Sequence, residues 1–206
     1  MPDRGQRFPG VARDLLRDAA LDAALQILVA EGAQHLRMAD VAAAVDVSRQ
    51  TIYAEFGTKQ VMLRQLVDRE TRGLCAALVA VLDSHAGDPA AAVDTGCALL
   101  LRRSRADPLV KTIVSGSADV DLLPLVTTDG APIVKILSAA FRGYFHQHWP
   151  AAAEDGVVLV ADVVTRLTIS HVLMPDRPVE IASRDIAAVL TPFLDRIRTD
   201  AGHPDP

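Results

Sequence analysis

The chain has 206 residues, of which 50% are apolar, 23% charged and 4% aromatic, and its formal net charge is −5. This apolar fraction excludes an intrinsically disordered chain, and 33 alanines against 12 glycines favour helices over sheet. The charge is unevenly distributed: residues 1–72 hold 10 basic and 10 acidic residues, whereas residues 73–206 hold 11 and 16. The acidity that argues against a nucleic-acid partner therefore lies in the second part of the chain.

No pattern typical of a secreted, membrane-bound, catalytic or metal-binding protein is found. The best candidate for a membrane span, residues 73–82, has only ten residues, and no signal peptide is recognised. Cys75 and Cys97 are too few for a disulfide framework, and burial as small apolar side chains is the preferred interpretation. His146 and His148 lie on different faces of a helix and cannot form an i,i+4 zinc chelate. We expect a cytoplasmic protein that is not an enzyme and has no cofactor, metal or membrane contact.

Apolar residues at helical spacing, with proline starts and glycine stops, predict an all-α fold of about nine helices and no strand. Asp129 and Ser183 are predicted N-caps, and residues 116–128 are predicted to be mostly loop. The predicted domains are a flexible arm (1–10), a helix-turn-helix head (11–60), a helical body (61–200) and a flexible tail (201–206). The predicted helices are 11–31, 38–45, 49–56, 59–83, 89–105, 108–115, 130–149, 150–174 and 184–199.

Two short helices joined by a tight turn after a long helix are typical of a helix-turn-helix DNA-binding unit. The second short helix, 49–56, carries Arg49, Gln50 and Thr51 in its first half. These side chains suit guanine, adenine and the thymine methyl group in a major groove. Tyr53 and Lys59 are predicted to contact phosphates, Lys59 at the start of the next helix. An exposed helix end with ordinary polar residues is the alternative interpretation.

The run Asp40-Val41-Ala42, then residues 47–53, 56–59 and Leu63, resembles the DNA-binding domain of TetR-family transcriptional regulators. Three positions depart from that family: Asp46 replaces a turn glycine, Arg37 a threonine, and Glu55 a histidine or another phosphate-compatible residue. Because a carboxylate facing DNA would repel it, we expect Glu55 to point away or to pair with an arginine. The predicted DNA-binding residues are Arg37, Ser48, Arg49, Gln50, Thr51, Tyr53, Thr58 and Lys59.

The resemblance also implies a homodimer built by the last two long helices and a small-molecule pocket in the middle of the body. For any one pocket residue, membership of an ordinary core remains the stronger alternative. The predicted pocket residues are Leu78, Leu82, Leu100, Ile113, Ile136, Phe141 and Phe145. The predicted dimer residues are Val160, Val164, Leu167, His171, Leu190, Phe193, Leu194 and Ile197.

The sequence therefore predicts a TetR-like regulator, a repressor released from a palindromic operator in double-stranded DNA by a small effector. The low aromatic content favours an apolar effector of aliphatic or lipid-like character over a flat aromatic one. The alternative is a helical small-molecule binding protein whose DNA-binding head has lost its function. Glu55 and the neutral charge of residues 1–72 favour that alternative.

Overall fold

The computed structural model describes residues 7–114 and 122–201, with side chains for 10–114 and 122–197. Over these ranges the chain is helical and contains no strand; nine α-helices have at least seven residues, and α7 is a single turn within the predicted 116–128 loop. Residues 7–10 of the predicted arm belong to α1 and residue 201 of the predicted tail belongs to α10, so the prediction is wrong there, while 1–6 and 202–206 lie outside the described ranges. The elements are α1 (Arg7–Glu31), a 3-10 turn (Ala33–His35), α2 (Met38–Ala44), α3 (Arg49–Phe56), α4 (Lys59–Asp83), α5 (Pro89–Ala106), α6 (Pro108–Val114), α7 (Leu123–Val126), α8 (Ala131–His148), α9 (Glu154–Leu173) and α10 (Val179–Ala201).

The chain divides into two compact units, and the division falls inside α4, between Arg69 and Glu70. The first unit comprises residues 1–69 and 112–127 and contains the helix-turn-helix head. Its helices bury one apolar face each, as the helical spacing predicts, although Leu15 remains exposed. The core of this head consists of Ala20, Leu21, Ala24, Leu28, Leu36, Met38, Val41, Ala42, Ile52, Phe56, Met62, Leu63 and Leu66.

The second unit comprises residues 70–111 and 128–206. Within it α5 packs against α9 and α10, and α8 packs against α9. The start of α5 matches the prediction, because the Asp88 carboxylate accepts a hydrogen bond from the Ala91 backbone N–H at 3.0 Å and Pro89 is the first helical residue. The largest core side chains include Leu78, Leu82, Leu100, Phe141 and Phe145.

Two predicted N-caps are wrong. Helix α10 begins at Val179, so Ser183 lies inside it, buried, and donates a hydrogen bond to Asp94 Oδ1 at 2.5 Å. The N-cap position of helix α8 is Gly130, so Asp129 lies one residue before the predicted cap position. Helix α9 begins at Glu154 rather than at Pro150. Asp129 and Ser183 have the residue type of a cap, but these helices begin at other positions.

Helix α9 is the one helix in the described part of the chain that is long and apolar enough to cross a membrane by length and composition. Only 33% of its most apolar 18-residue window is buried inside the protein. The sequence predicts this helix as 150–174 but not as a candidate membrane span, because a search for uncharged apolar stretches is interrupted by Asp162 and Arg166. A packed helix of a soluble protein passes the same test, so the finding is weak evidence for a membrane. It does show that α9 carries apolar surface beyond what its own unit buries.

Candidate DNA-binding site

The turn between α2 and α3 is held by backbone geometry and by a side-chain cap. Asp46 adopts a left-handed backbone with φ of 54°, the conformation for which glycine is otherwise favoured. Ser48 then caps α3: its Oγ accepts a hydrogen bond from the Thr51 N–H at 3.1 Å and lies 2.8 Å from Thr51 Oγ1. Asp46 therefore replaces the family's usual glycine without loss of the turn, as the sequence predicted.

The end of α3 leads directly into α4. Gly57 has φ of 73° and its N–H donates to the Tyr53 carbonyl at 2.8 Å, which terminates α3. Thr58 follows as a cap of α4, because its Oγ1 accepts a hydrogen bond from the Val61 N–H at 3.2 Å. The short helix is thus fixed at both ends, with only two residues between it and the next helix.

One face of α3 is buried and the other is exposed. Ile52 and Phe56 are buried in the head, whereas Arg49, Gln50 and Tyr53 are exposed. Thr51 is half-buried because its hydroxyl contacts Ser48. The structure therefore brings together Ser48, Arg49, Gln50 and Tyr53 on the exposed first half of α3. This is the arrangement that a major-groove reading helix requires.

Glu55 is turned towards α1 and is paired. Arg13 Nε donates to Glu55 Oε2 at 2.6 Å, and Arg17 Nε lies 3.5 Å from Glu55 Oε1. Only 7% of the Glu55 side chain is exposed. The expectation that this carboxylate pairs with an arginine is therefore confirmed, and the main objection to DNA binding by the head is removed.

Lys59 has an additional role that the sequence did not indicate. Its Nζ donates to the Ala33 carbonyl at 2.7 Å, and the side chain is partly buried. This bond ties the first residue of α4 to the 3-10 turn that follows α1. The predicted phosphate contact of Lys59 remains a prediction, in addition to this structural bond. Arg37, at the N-cap position of α2, and Thr58 are both exposed.

The predicted pocket residues are mostly core residues. Leu78, Leu82, Leu100, Phe141 and Phe145 belong to one apolar cluster of the second unit and are at most 2% exposed. Ile136 is only partly buried, and Ile113 is buried in the other unit. Of the seven predicted pocket residues, these five therefore lie together in a single cluster.

The predicted dimer residues need correction. Five of the eight face the core of their own unit and are less than 8% exposed, so they cannot form a surface: Val160, Val164, Leu190, Leu194 and Ile197. Leu167, His171 and Phe193 are only partly buried. On α9 the choice failed because this helix is apolar on several faces. On α10 the apolar stripe that was chosen is the face buried in the core of its own unit.

The cysteines behave as packing residues. Cys97 is fully buried, and its Sγ lies 3.3 Å from Thr168 Oγ1. Burial raises the pKa of its thiol to about 12. Burial also raises the pKa of Cys75, which donates to the Ile136 carbonyl at 3.7 Å. A protonated thiol is a poor nucleophile and metal ligand. Over the ranges that the structure describes, no group of three or more His, Cys, Asp or Glu side chains could hold a metal ion.

Comparisons with known proteins follow the same division of the chain. The family described as bacterial regulatory proteins, tetR family, matches residues 20–66. The bacterial tetracyclin repressor C-terminal domain matches residues 88–192, which is more than half of the chain. The chain belongs to the TetR family. It is thus a transcriptional regulator by family, with an N-terminal helix-turn-helix and a helical C-terminal domain.

Individual TetR-family proteins are similar over nearly the whole chain. The HTH-type transcriptional regulator AlkX of Mycobacterium tuberculosis is 36% identical over 189 residues, which is 92% of this chain and 90% of the relative. The crystal structure of the TetR family repressor AlkX from Dietzia sp. strain DQ12-45-1b, implicated in biodegradation of n-alkanes, gives a TM-score of 0.74 at 25% identity and covers 87% and 97% of the two chains. The crystal structure of RolR in complex with resorcinol gives a TM-score of 0.66 at 17% identity and covers 96% of this chain and 98% of RolR. At this identity the similarity shows the fold alone.

The sequence did not identify the two arginines that pair with Glu55. Arg13 and Arg17 lie on α1, outside the helix-turn-helix motif. Their i,i+4 spacing places them on one side of α1 and was the only signal available. Nothing in the sequence indicated that this side faces Glu55, which is 42 residues from Arg13.

Proposed function

We propose that the protein is a homodimeric transcriptional repressor that binds a palindromic operator with α3 and is released by an apolar, aliphatic effector. One observation carries the DNA-binding part. Arg49, Gln50 and Tyr53 are exposed on α3, while the nearby carboxylate of Glu55 is paired on α1. Two copies of this face, related by a two-fold axis, suit half-sites about 34–36 Å apart. A regulator of this kind acts on chromosomal DNA in the cytoplasm.

The proposed dimer surface lies on the outward faces of α9 and α10, rather than on the core residues selected from the sequence. Val158 and Leu159 of α9 and Ile181 and Val189 of α10 are large apolar side chains left exposed. Val189 is 72% exposed. We expect a partner to cover these exposed apolar side chains, because exposed apolar surface often marks an interface in a soluble protein, and dimers are typical of the family. Leu167, His171 and Phe193, which are partly buried, remain candidates at its edge.

This surface is tested by charged substitutions that leave the core intact. Leu159→Arg and Val189→Arg should convert the dimer to a monomer at micromolar concentration in sedimentation velocity, because each buries an unpaired charge in the interface. Val29→Arg, on α1, is the control, since Val29 has a comparable exposure of 44% in the other unit. A dimer that survives both test substitutions would place the interface elsewhere.

The effector part of the proposal rests on the character of the second unit's core and on the relative implicated in biodegradation of n-alkanes. Leucine, valine, isoleucine and alanine make up most of this core, with Phe141, Tyr144 and Phe145 as its buried aromatic residues, and aromatic residues make up only 4% of the chain. A ligand that separates these helices would meet aliphatic side chains and few polar groups. Long-chain aliphatic compounds match this lining better than planar aromatic ones.

The alternative function, a small-molecule binding protein with an inactive head, retains one supporting observation. Residues 1–72 have no net charge, whereas DNA-binding domains are usually basic. Glu55 no longer favours this alternative, because its carboxylate is paired. Ligand binding without any sequence-selective DNA binding would favour it over the proposed repressor.

One experiment tests the proposed function. A DNA duplex is selected from a random-sequence pool with the wild-type protein, and its binding is compared with that of a scrambled duplex by fluorescence anisotropy. Selective binding by a dimer, weakened by hexadecane or hexadecanoate but not by resorcinol, is expected. A ligand releases DNA only if it binds the DNA-incompetent state better, and tenfold release needs about 1.4 kcal/mol of difference. Equal affinity for the selected and scrambled duplexes would refute the proposal.

A further inference from the structure

An ion-pair cluster of Arg13, Glu55 and Arg17 joins the reading helix α3 to α1. The contact between Arg13 Nε and Glu55 Oε2 is 2.6 Å, and Arg17 Nε is 3.5 Å from Glu55 Oε1. The glutamate is nearly buried, whereas 64% of the Arg13 side chain is exposed. A carboxylate so enclosed requires a charged partner, because an unpaired buried charge is strongly unfavourable.

The same cluster also reaches α4. Arg17 Nε donates to Gln65 Oε1 at 3.0 Å, and its guanidinium lies 5.9 Å from the centre of the Phe56 ring. Three helices of the head therefore meet at Arg17: α1, which carries it, the end of α3, and the first part of α4. All of these residues belong to the first unit.

The position of Glu55 on α3 determines what this cluster can do. Successive residues of a helix are about 100° apart around its axis, so Glu55 lies about 200° from Tyr53, on the opposite side from that exposed residue. Ile52 and Phe56 bury α3 in the head, but apolar packing is not directional. A short charge-assisted hydrogen bond is directional. The hydrogen bond that Arg13 of α1 donates to Glu55 can therefore fix the rotation of α3 about its own axis.

We propose that Glu55 is a positioning residue for DNA recognition: through Arg13 and Arg17 it sets the direction in which Arg49 and Gln50 point and so sets operator selectivity. This inference rests on the proposed function, since it presumes that α3 reads DNA. Glu55 itself contacts no base. Its effect on selectivity is carried by the rotation of the helix.

Positioning and simple charge repulsion predict changes of opposite sign. If Glu55 acted only as a negative charge near phosphates, Glu55→Gln would strengthen binding to every duplex, because long-range repulsion is independent of sequence. If Glu55 positions α3, the same substitution weakens binding to the selected duplex and leaves or raises binding to a scrambled one. The ratio of the two affinities separates the explanations, and a residue that only supports folding would lower both affinities together.

The experiment compares variants on the duplex selected with the wild-type protein and on a scrambled duplex of the same length. Glu55→Gln should lower the selectivity ratio about tenfold, the discrimination that one good base contact provides. Arg13→Gln should lower it by a smaller factor in the same direction, and Arg13→Lys should restore part of the loss. Asp14→Asn is the matched control, because it removes one negative charge from the exposed side of α1.

Arg13→Gln also covers the case in which Glu55→Gln fails to fold, since Arg13 is mostly exposed. A selectivity ratio within twofold of wild type in Arg13→Gln and in any folded Glu55→Gln would overturn the inference, and so would an equal fall in Asp14→Asn. If the wild-type protein itself prefers no selected duplex, the proposed function fails and the inference falls with it. If the wild-type protein is selective and the variants remain equally selective, the inference is refuted while the proposed function stands.

Discussion

Two glycines in the second unit provide a matched test of whether its core is closely packed. Gly96 lies in α5 and Gly143 in α8, both within helices. A Cβ added at Gly96 would lie 2.9 Å from Leu82 Cδ2 and 3.1 Å from Leu78 Cδ1, whereas a Cβ at Gly143 would meet nothing within 4 Å. Leu78 and Leu82 are also predicted pocket residues, so Gly96→Ala tests the same place in which an effector would be bound.

The two substitutions should change the free energy of unfolding in different directions. Alanine in place of a helical glycine stabilises by about 0.5–1 kcal/mol, and Gly143→Ala should gain that amount. At Gly96 the same gain is opposed by overpacking, which costs about 1–3 kcal/mol in a filled core. The crowded atoms are terminal methyl groups, which favours the lower half of that cost, but both leucines are fully buried. Gly96→Ala should therefore be less stable than Gly143→Ala by about 1–2 kcal/mol.

Urea unfolding at one fixed protein concentration measures this difference, since the stability of a dimer depends on concentration. Equal stabilisation by the two substitutions would refute the reasoning, because it would mean that the space beside Gly96 is not filled by Leu78 and Leu82. In that case the second unit would contain an open chamber in the absence of a ligand.

Further outcomes are expected for Ser48, Cys97, Arg49 and Lys59. Ser48→Ala should lower the free energy of unfolding by about 1 kcal/mol in urea denaturation, because it removes the cap of α3. Iodoacetamide at pH 8 should leave Cys97 unmodified in the folded protein, as measured by mass spectrometry. Because burial raises the pKa of this thiol from 9.0 to about 12, the free energy of unfolding should also fall as the pH rises above 9. Arg49→Ala should relax sequence preference, whereas Lys59→Ala should weaken binding to all duplexes, lower the salt slope by about one and reduce stability through loss of the bond to Ala33. Labelling of native Cys97, an unchanged unfolding midpoint for Ser48→Ala, or an unchanged salt slope for Lys59→Ala would contradict these expectations.

The helix-turn-helix could be predicted from the sequence because its geometry is set by neighbouring residues. Ser48 caps α3 within three residues, Gly57 ends it, and Thr58 caps α4, so residue type alone indicates each boundary. The apolar back of α3, Ile52 and Phe56, follows from helical spacing and is buried as predicted. Here local and tertiary preferences agree, which makes this segment predictable.

The rest of the site depends on contacts between residues that are distant in sequence. The sequence predicts an arginine partner for Glu55, but it does not show that this partner is Arg13, because that depends on how α1 packs on α3. In α9, buried Val160 and exposed Leu159 are adjacent apolar residues, so the pattern could not separate the core face from the proposed interface. Ser183 has the residue type of a cap, yet α10 begins four residues before it and its hydroxyl bonds to Asp94, which is 89 residues away in sequence.

Hydroxyl-radical footprinting on a selected duplex tests most directly whether two copies of α3 read a palindromic operator, because it locates protected backbone positions along both strands. We expect two symmetric protected regions whose centres are about 10–10.5 base pairs, or a multiple of that distance, apart, and their loss in Arg49→Ala. A single asymmetric protected region, or uniform protection that Arg49→Ala leaves unchanged, would contradict it.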